Sequence, residues 1–296
     1  MKRVLKGIRT EWLNLAISIR RNSCELSDSV FILGSPRSGT TWLMEIVTGI
    51  SGRSPIYEPL RPGSDRFEAL IGRLDGFLVL DRSSVQPDLA DYLVRVATGR
   101  RVSHWSLSQS TLQRHLHSKG YVVKFVRVSR AAAWLSATIP VKQIRIVRGP
   151  VATIESYLNS PGPWHTWDVG QFSTLVFGDK TRMLDLLGTT TPTSVQWFAA
   201  WWAAETSALL EPALDVAVVC YEDLVRRDAA TIDTIVAQCG APAAHDVESV
   251  LARPSATSND RRSAGTKGAF STRRLLSASE TRDVEAIARD FGLDAW

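Results

Sequence analysis

Val30-Phe31-Ile32-Leu33-Gly34-Ser35-Pro36-Arg37-Ser38-Gly39-Thr40-Thr41-Trp42 is an apolar run that breaks at Gly-Ser-Pro and restarts with helical character. It predicts a strand, a tight loop and a helix. In such a unit the loop N–H groups and the positive end of the helix dipole converge on one point, which suits a phosphate. Gly34 and Gly39 have the spacing of a phosphate-binding loop, but Thr40-Thr41 stands where Lys-Ser/Thr usually follows.

The 296 residues, 44% of them apolar, suffice for a sizeable core. A net charge of +5 is mild for this length and fits a basic pocket for an anionic ligand. Nucleic acid is not an expected partner, because there is no zinc-finger spacing and no aromatic RNA-binding strand. Cys24, Cys220 and Cys239 are few, odd in number and not at metal-ligand spacing, so a reducing, cytoplasmic setting is expected. There is neither a membrane-length apolar run nor a signal-peptide pattern. In residues 1–23, Leu5, Ile8, Trp12, Leu15 and Ile19 share one helical face and Lys2, Lys6, Arg9, Arg20 and Arg21 lie largely elsewhere. The 1–28 stretch is expected to be an amphipathic helix that packs on the domain or makes peripheral membrane contact.

Further along, a helix from Thr41 to about Ile50 precedes Pro55-Ile56-Tyr57-Glu58-Pro59, a short extended piece. The intervening helix is short enough to bring Glu58 back beside the loop. Phe77–Asp81 has the pattern of a strand ending on a metal-holding aspartate, a pattern that also arises by chance. Helices are expected at about 88–98 and 110–117. Tyr121–Arg127 reads as an interior parallel strand with Lys124 and Arg127 near its C-terminal end, where ligands of open α/β sheets collect. A helix over 129–137 and a strand over 143–147 follow. Arg148 sits where that strand meets a helix opened by Pro150, and Ser156 lies two turns along.

Residues 159–192 include Trp164, His165 and Trp167 and read as a lid or acceptor loop. The helix from Thr193 to about Leu210 carries Trp197, Phe198, Trp201 and Trp202, read as core. Val216–Cys220 is a strand, and Tyr221-Glu222-Asp223-Leu224 opens a helix that runs to Gly240. Residues 252–274 read as a basic loop, and a final helix spans about 279–290 with Val284, Ile287 and Ala288 inward.

These motifs resemble the sulfotransferases that use 3′-phosphoadenosine 5′-phosphosulfate (PAPS), nearer the carbohydrate-type and bacterial members than the cytosolic aryl and steroid type. The resemblance covers Val30 to the C-terminus. It implies one α/β domain over 1–296, a three-layer P-loop-type fold with a central, mainly parallel sheet flanked by helices. Ser35–Trp42 is similar to the family's 5′-phosphosulfate loop, which implies that Arg37, Ser38, Gly39, Thr40 and Thr41 hold the 5′-phosphate and Trp42 contacts the adenine. Arg148–Ser156 is similar to the segment in which Arg148 and Ser156 grip the 3′-phosphate. Tyr57-Glu58-Pro59, Tyr221–Leu224 and Lys267-Gly268 resemble further elements, the last a loop that closes over the cofactor, although Thr266 replaces the usual arginine. No metal is expected.

The implied reaction moves the sulfuryl group to a hydroxyl, less readily an amine, of a small-molecule, saccharide or lipid-like acceptor and releases 3′-phosphoadenosine 5′-phosphate (PAP). Glu58 is the candidate general base, with His104 and His165 as rivals, and Arg37 and Lys124 would face the leaving group. Glu58 as a plain surface carboxylate and Lys124 as a strand-end lysine reaching water are the competing structural readings. The competing functions are a nucleotide kinase or hydrolase, and a non-catalytic nucleotide-binding protein at a membrane. Acceptor and oligomeric state are not legible.

Overall fold

Five strands, β1 (Val30–Leu33), β2 (Ser54–Tyr57), β3 (Tyr121–Phe125), β4 (Lys142–Val147) and β5 (Val216–Cys220), form one sheet in the order β2-β3-β1-β4-β5. All four pairings are parallel. The computed structural model describes residues 14–15, 17, 24–61, 77–159, 184–185, 187–213, 215–240, 247–252 and 275–295. The helices among them are α1 (Thr40–Ser51), α2 (Pro87–Ala97), α3 (Leu112–Leu116), α4 (Ala132–Thr138), α5 (Pro150–Leu158), α6 (Ser194–Leu210), α7 (Tyr221–Arg226), α8 (Ala229–Cys239), α9 (Val247–Leu251) and α10 (Ala278–Asp290).

The central strands β1 and β3 are buried along their whole length, as a parallel sheet covered on both faces requires. Their alternate residues divide between two layers. Phe31, Leu33, Val123 and Phe125 meet Leu89, Leu93 and Val96 of α2 and Trp134 and Leu135 of α4. Val30, Ile32 and Val122 face the other way, onto Leu43 and Val47 of α1, Ile235 of α8 and Leu251 of α9. The expected three layers are therefore present. Arg145 of β4 is fully buried and donates to the carbonyls of Leu209, Glu211 and Ala132 and to Ser136 Oγ, fastening the end of α6 to α4.

The tryptophan-rich α6 forms a separate core. Trp197, Phe198 and Trp201 pack against Ile154 and Tyr157 of α5 and Val284 and Ile287 of α10. Reciprocal capping boxes start two of these helices, Thr193 with Gln196 in α6 and Ser277 with Glu280 in α10. Pro150 occupies the first turn of α5, where its missing N–H costs nothing.

Three expectations are corrected. Phe77–Asp81 is irregular; Phe77 and Leu78 are buried, but Leu78 and Leu80 donate to the Arg127 and Arg130 carbonyls and Asp81 is exposed. The helix expected from Tyr221 to Gly240 is two helices, because Arg227 adopts φ 58° and the Asp228 side chain caps α8 at Thr231 N, 2.9 Å away. The helix expected over 129–137 opens as a 3-10 turn, Ser129–Ala131, before α4. Of the N-terminal amphipathic segment only Asn14, Leu15 and Ile17 and residues 24–28 are described. Residues 160–183, with Trp164, His165 and Trp167, and residues 253–274, with Lys267 and Gly268, lie outside the described residues. Among those described, no helix is long and apolar enough to cross a membrane.

Candidate active site

Parallel pairing brings the C-terminal ends of all five strands to one edge of the sheet, and the site residues follow those ends. The 34–39 loop follows β1, Glu58 follows β2, Arg148 follows β4 and Tyr221 follows β5. Lys124, the penultimate residue of β3, is in register with Ile32 on one side and Tyr57 on the other.

The loop is held from three sides. A Cβ on Gly34 would lie 2.6 Å from Ser38 Oγ and 2.8 Å from Ile146 Cγ2, so only glycine fits there. Gly39, at φ 96°, is pressed against the Tyr221 ring with no room for a side chain. The buried Tyr157 hydroxyl donates to the Pro36 carbonyl at 2.7 Å. Ser38 spends both its N–H, at 3.2 Å, and its hydroxyl, at 2.7 Å, on the Ser35 carbonyl, so its donors close the turn. The first bond of α1 runs from Leu43 N to Gly39 O, and no side chain caps the helix. The Thr40, Thr41 and Trp42 N–H groups therefore have no acceptor within the helix. Such an uncapped end suits an anion.

Arg37, at φ 67°, sends its side chain across the site, where Nε donates to Ser156 Oγ on α5 at 2.9 Å. Arg148 Nη1 donates to the Arg37 carbonyl at 3.1 Å, and its guanidinium lies 4.6 Å from the Tyr221 ring centre. Tyr221 in turn meets Trp42 edge-on at 5.8 Å. Burial and the neighbouring Arg148 charge hold the Arg37 guanidinium below its ordinary pKa, while burial raises Tyr221 against the pull of both arginines. Arg148 Nε is buried with no hydrogen-bond partner. Two arginines side by side, one with an unused buried N–H, beside an uncapped helix end make a donor set that fits a ligand with more than one phosphate or sulfate group. The predicted Arg37, Arg148, Ser156, Trp42 and Tyr221 thus form one cluster.

Glu58 and Lys124 form a second. Lys124 Nζ lies 2.7 Å from Glu58 Oε1, with the two side chains only 3% and 13% exposed. Glu58 takes φ 40° and donates its N–H to the Lys124 carbonyl at 3.0 Å. A non-glycine residue in that region is uncommon, and Arg37 and Glu58 are two of the four described here. Lys124 also sits 4.1 Å from the Tyr57 ring centre. Tyr57 lies close enough to Arg37 to influence its charge, which links the two clusters. His104 is exposed, beside Trp105 in the loop whose Ser106 carbonyl accepts from Tyr57 N at 2.8 Å.

Other residues at the site carry no motif. Trp202, which donates to the Arg148 carbonyl at 2.9 Å, reads as a core aromatic in the sequence, and Tyr157, which holds the loop through Pro36, is not singled out there. Glu222 accepts from Gly149 N at 3.1 Å and Glu155 from Leu275 N at 2.9 Å, so both acids anchor loops. Trp105, Arg61 and Arg127 gather beside Glu58, with the Arg61 guanidinium 3.6 Å from the Trp105 ring centre. The sequence signal for this group was the place of Arg127 near the C-terminal end of its strand; Arg61 N closes back onto the Glu58 carbonyl. Among the described residues no group of three or more His, Cys, Asp or Glu is placed to hold a metal.

Residues 29–246 match the model of a family described as the sulfotransferase family. The chain is similar to the solved sulfotransferase domain from the Synechococcus PCC 7002 olefin synthase, at 19% identity and TM-score 0.50 over 92% of this chain and 97% of that one. It is also similar to the sulfotransferase domain from the curacin biosynthetic pathway, at 18% identity and TM-score 0.48 over 89% and 96%. No curated protein matches. At these identities the structural likeness speaks to the fold alone.

Proposed function

We propose, for a chain that belongs to the sulfotransferase family, that it moves the sulfuryl group of PAPS to an acceptor hydroxyl and releases PAP. The observation that carries this reading is the joining of Arg37, Arg148 and Ser156 into one anion-binding cluster beside the Lys124–Glu58 pair. A nucleoside triphosphate has no 3′-phosphate to use such a separate grip. PAPS supplies a sulfuryl group already bonded to a good leaving group, a phosphate oxygen.

Arg148 and Ser156 hold the 3′-phosphate, and the N–H groups of Gly39, Thr40, Thr41 and Trp42 hold the 5′ end. Arg37 faces the negative charge that grows on the 5′-phosphate as the bond between its oxygen and sulfur breaks. Ser38 shapes the loop. Trp42 and Tyr221 offer ring surface to the adenine, and Lys267 and Gly268 close the site. A sulfuryl group carries less charge than a γ-phosphoryl group, so fixed cations serve in place of Mg²⁺.

Glu58 takes the acceptor proton as the new oxygen–sulfur bond forms. Lys124 occupies Oε1 and steers the carboxylate, leaving Oε2 for the acceptor. The proton thus ends on Glu58 and the electron pair of the broken bond on PAP. His104 and His165 are the remaining base candidates. The test is transfer of labelled sulfate from PAPS into an extract of the source cells. A labelled product that is lost with Glu58→Gln supports the reading; no product from the native protein, or full transfer by the variant, opposes it.

A further inference from the structure

Next to the Lys124–Glu58 pair lies positive charge that the transfer step does not use. Arg127 follows β3 by two residues, its guanidinium 5.5 Å from the Phe77 ring centre. Its electrostatic neighbours are Glu58, Arg61 and Tyr57. Burial holds it below its ordinary pKa, and Glu58 only partly offsets that. Oε1 of that carboxylate is already taken by Lys124. Arg127 Nε is buried and has no hydrogen-bond partner. A buried guanidinium with an open N–H is costly unless an anion completes it.

The surroundings describe what would complete it. Trp105 is 38% exposed, with Tyr57 edge-on at 5.7 Å on one side and the Arg61 guanidinium on the other. The exposed part of the indole suits a carbon frame, and the adjoining arginines suit an anion held on it. Resting on the reading of Glu58 as the base, we propose that the acceptor is itself an anion: a hydroxyl compound whose carboxylate or phosphate is bound by Arg127 and Arg61 while its carbon frame lies on Trp105. Arg127 would then select acceptors.

The test uses the full chain with its nucleotide site filled by PAP, so that Arg37 and Arg148 do not report. Calorimetry compares 4-hydroxyphenylacetate with its amide, glucuronate with its amide, and 4-hydroxybenzyl phosphate with 4-hydroxybenzyl alcohol. These arms separate carboxylate from phosphate and flat from saccharide frames. At least one anion is expected to bind about tenfold or more tightly than its neutral partner. Arg127→Gln should bring it down to the neutral level, and Arg127→Lys should restore part of the difference. Arg61→Gln should reduce it independently if the Arg127 variants fold poorly. Equal binding within every pair, or preferences unchanged in both arginine variants, overturns the proposal. Failure of PAP itself to bind would instead overturn the donor reading, so the two failures are distinct.

Discussion

Arg37 Nε and Ser156 Oγ meet at 2.9 Å, although 119 residues separate them in the chain. The contact places the side chain of the β1–α1 loop on α5, so the two proposed anion grips are joined. A hydrogen bond to a charged group contributes about 1.5–3 kcal/mol. Ser156→Ala is therefore expected to weaken PAP binding about tenfold or more by calorimetry. Arg37→Lys should not rescue the geometry of Arg37→Met, since lysine lacks the planar fork. Unchanged PAP affinity in Ser156→Ala would separate Ser156 from the nucleotide site.

Glu58→Gln keeps the size of the side chain and a carbonyl oxygen for Lys124 but removes the proposed base. PAP affinity should stay within about twofold, while kcat falls by a factor on the order of 10²–10⁴. Parallel loss of PAP binding would indicate that the Lys124–Glu58 pair shapes the site and does no chemistry.

The order β2-β3-β1-β4-β5 was not readable, whereas the strand positions, the mainly parallel sheet and the strand–loop–helix at Val30–Trp42 were, because continuous apolar runs and glycine spacing are local properties. Pro150 starting α5 is one such case. The break at Arg227–Asp228 was missed, since Arg226-Arg227-Asp228 also reads as the charged surface of one continuous helix, and the left-handed Arg227 and the Asp228 cap appear only in the structure. The failed strand at Phe77–Asp81 has a similar cause: five apolar residues satisfy a strand pattern whether or not a sheet edge is free to accept them. Arg37, Arg148 and Ser156 were named as anion ligands, but their mutual contacts depend on α5 packing, which sequence spacing does not encode. Arg127 was placed near a ligand-collecting strand end, but Trp105 entered the site through tertiary neighbours alone.

Glu205 of α6 is fully buried, and burial pushes its carboxyl up to about 7 against the opposing pull of Ser129, Arg130 and Trp201. The folded protein thus binds a proton that the unfolded chain, titrating near 4.5, has released. Stability should fall as pH rises from about 4.5 to about 7, by on the order of 3 kcal/mol, and level off above. Glu205→Gln should raise Tm at pH 8 and converge with the native protein near pH 4.5. A Tm difference that does not depend on pH would mean that Glu205 is charged in the folded state.

Arg145→Met should leave the carbonyls of Leu209 and Glu211 without their Arg145 donor. The loss is expected to be about 3–5 kcal/mol in urea unfolding. A loss under about 1 kcal/mol would show that water satisfies those groups.

The central claim is that the loop after β1 and the Arg148–Ser156 grip together bind a 3′-phosphorylated adenosine donor. The most direct measurement is a calorimetric comparison of PAP without metal against ATP with Mg²⁺ on the purified protein. Saturable PAP binding that raises Tm, with ATP and Mg²⁺ at least about tenfold weaker, is the expected result. Tight binding of ATP with Mg²⁺ and none of PAP would contradict it.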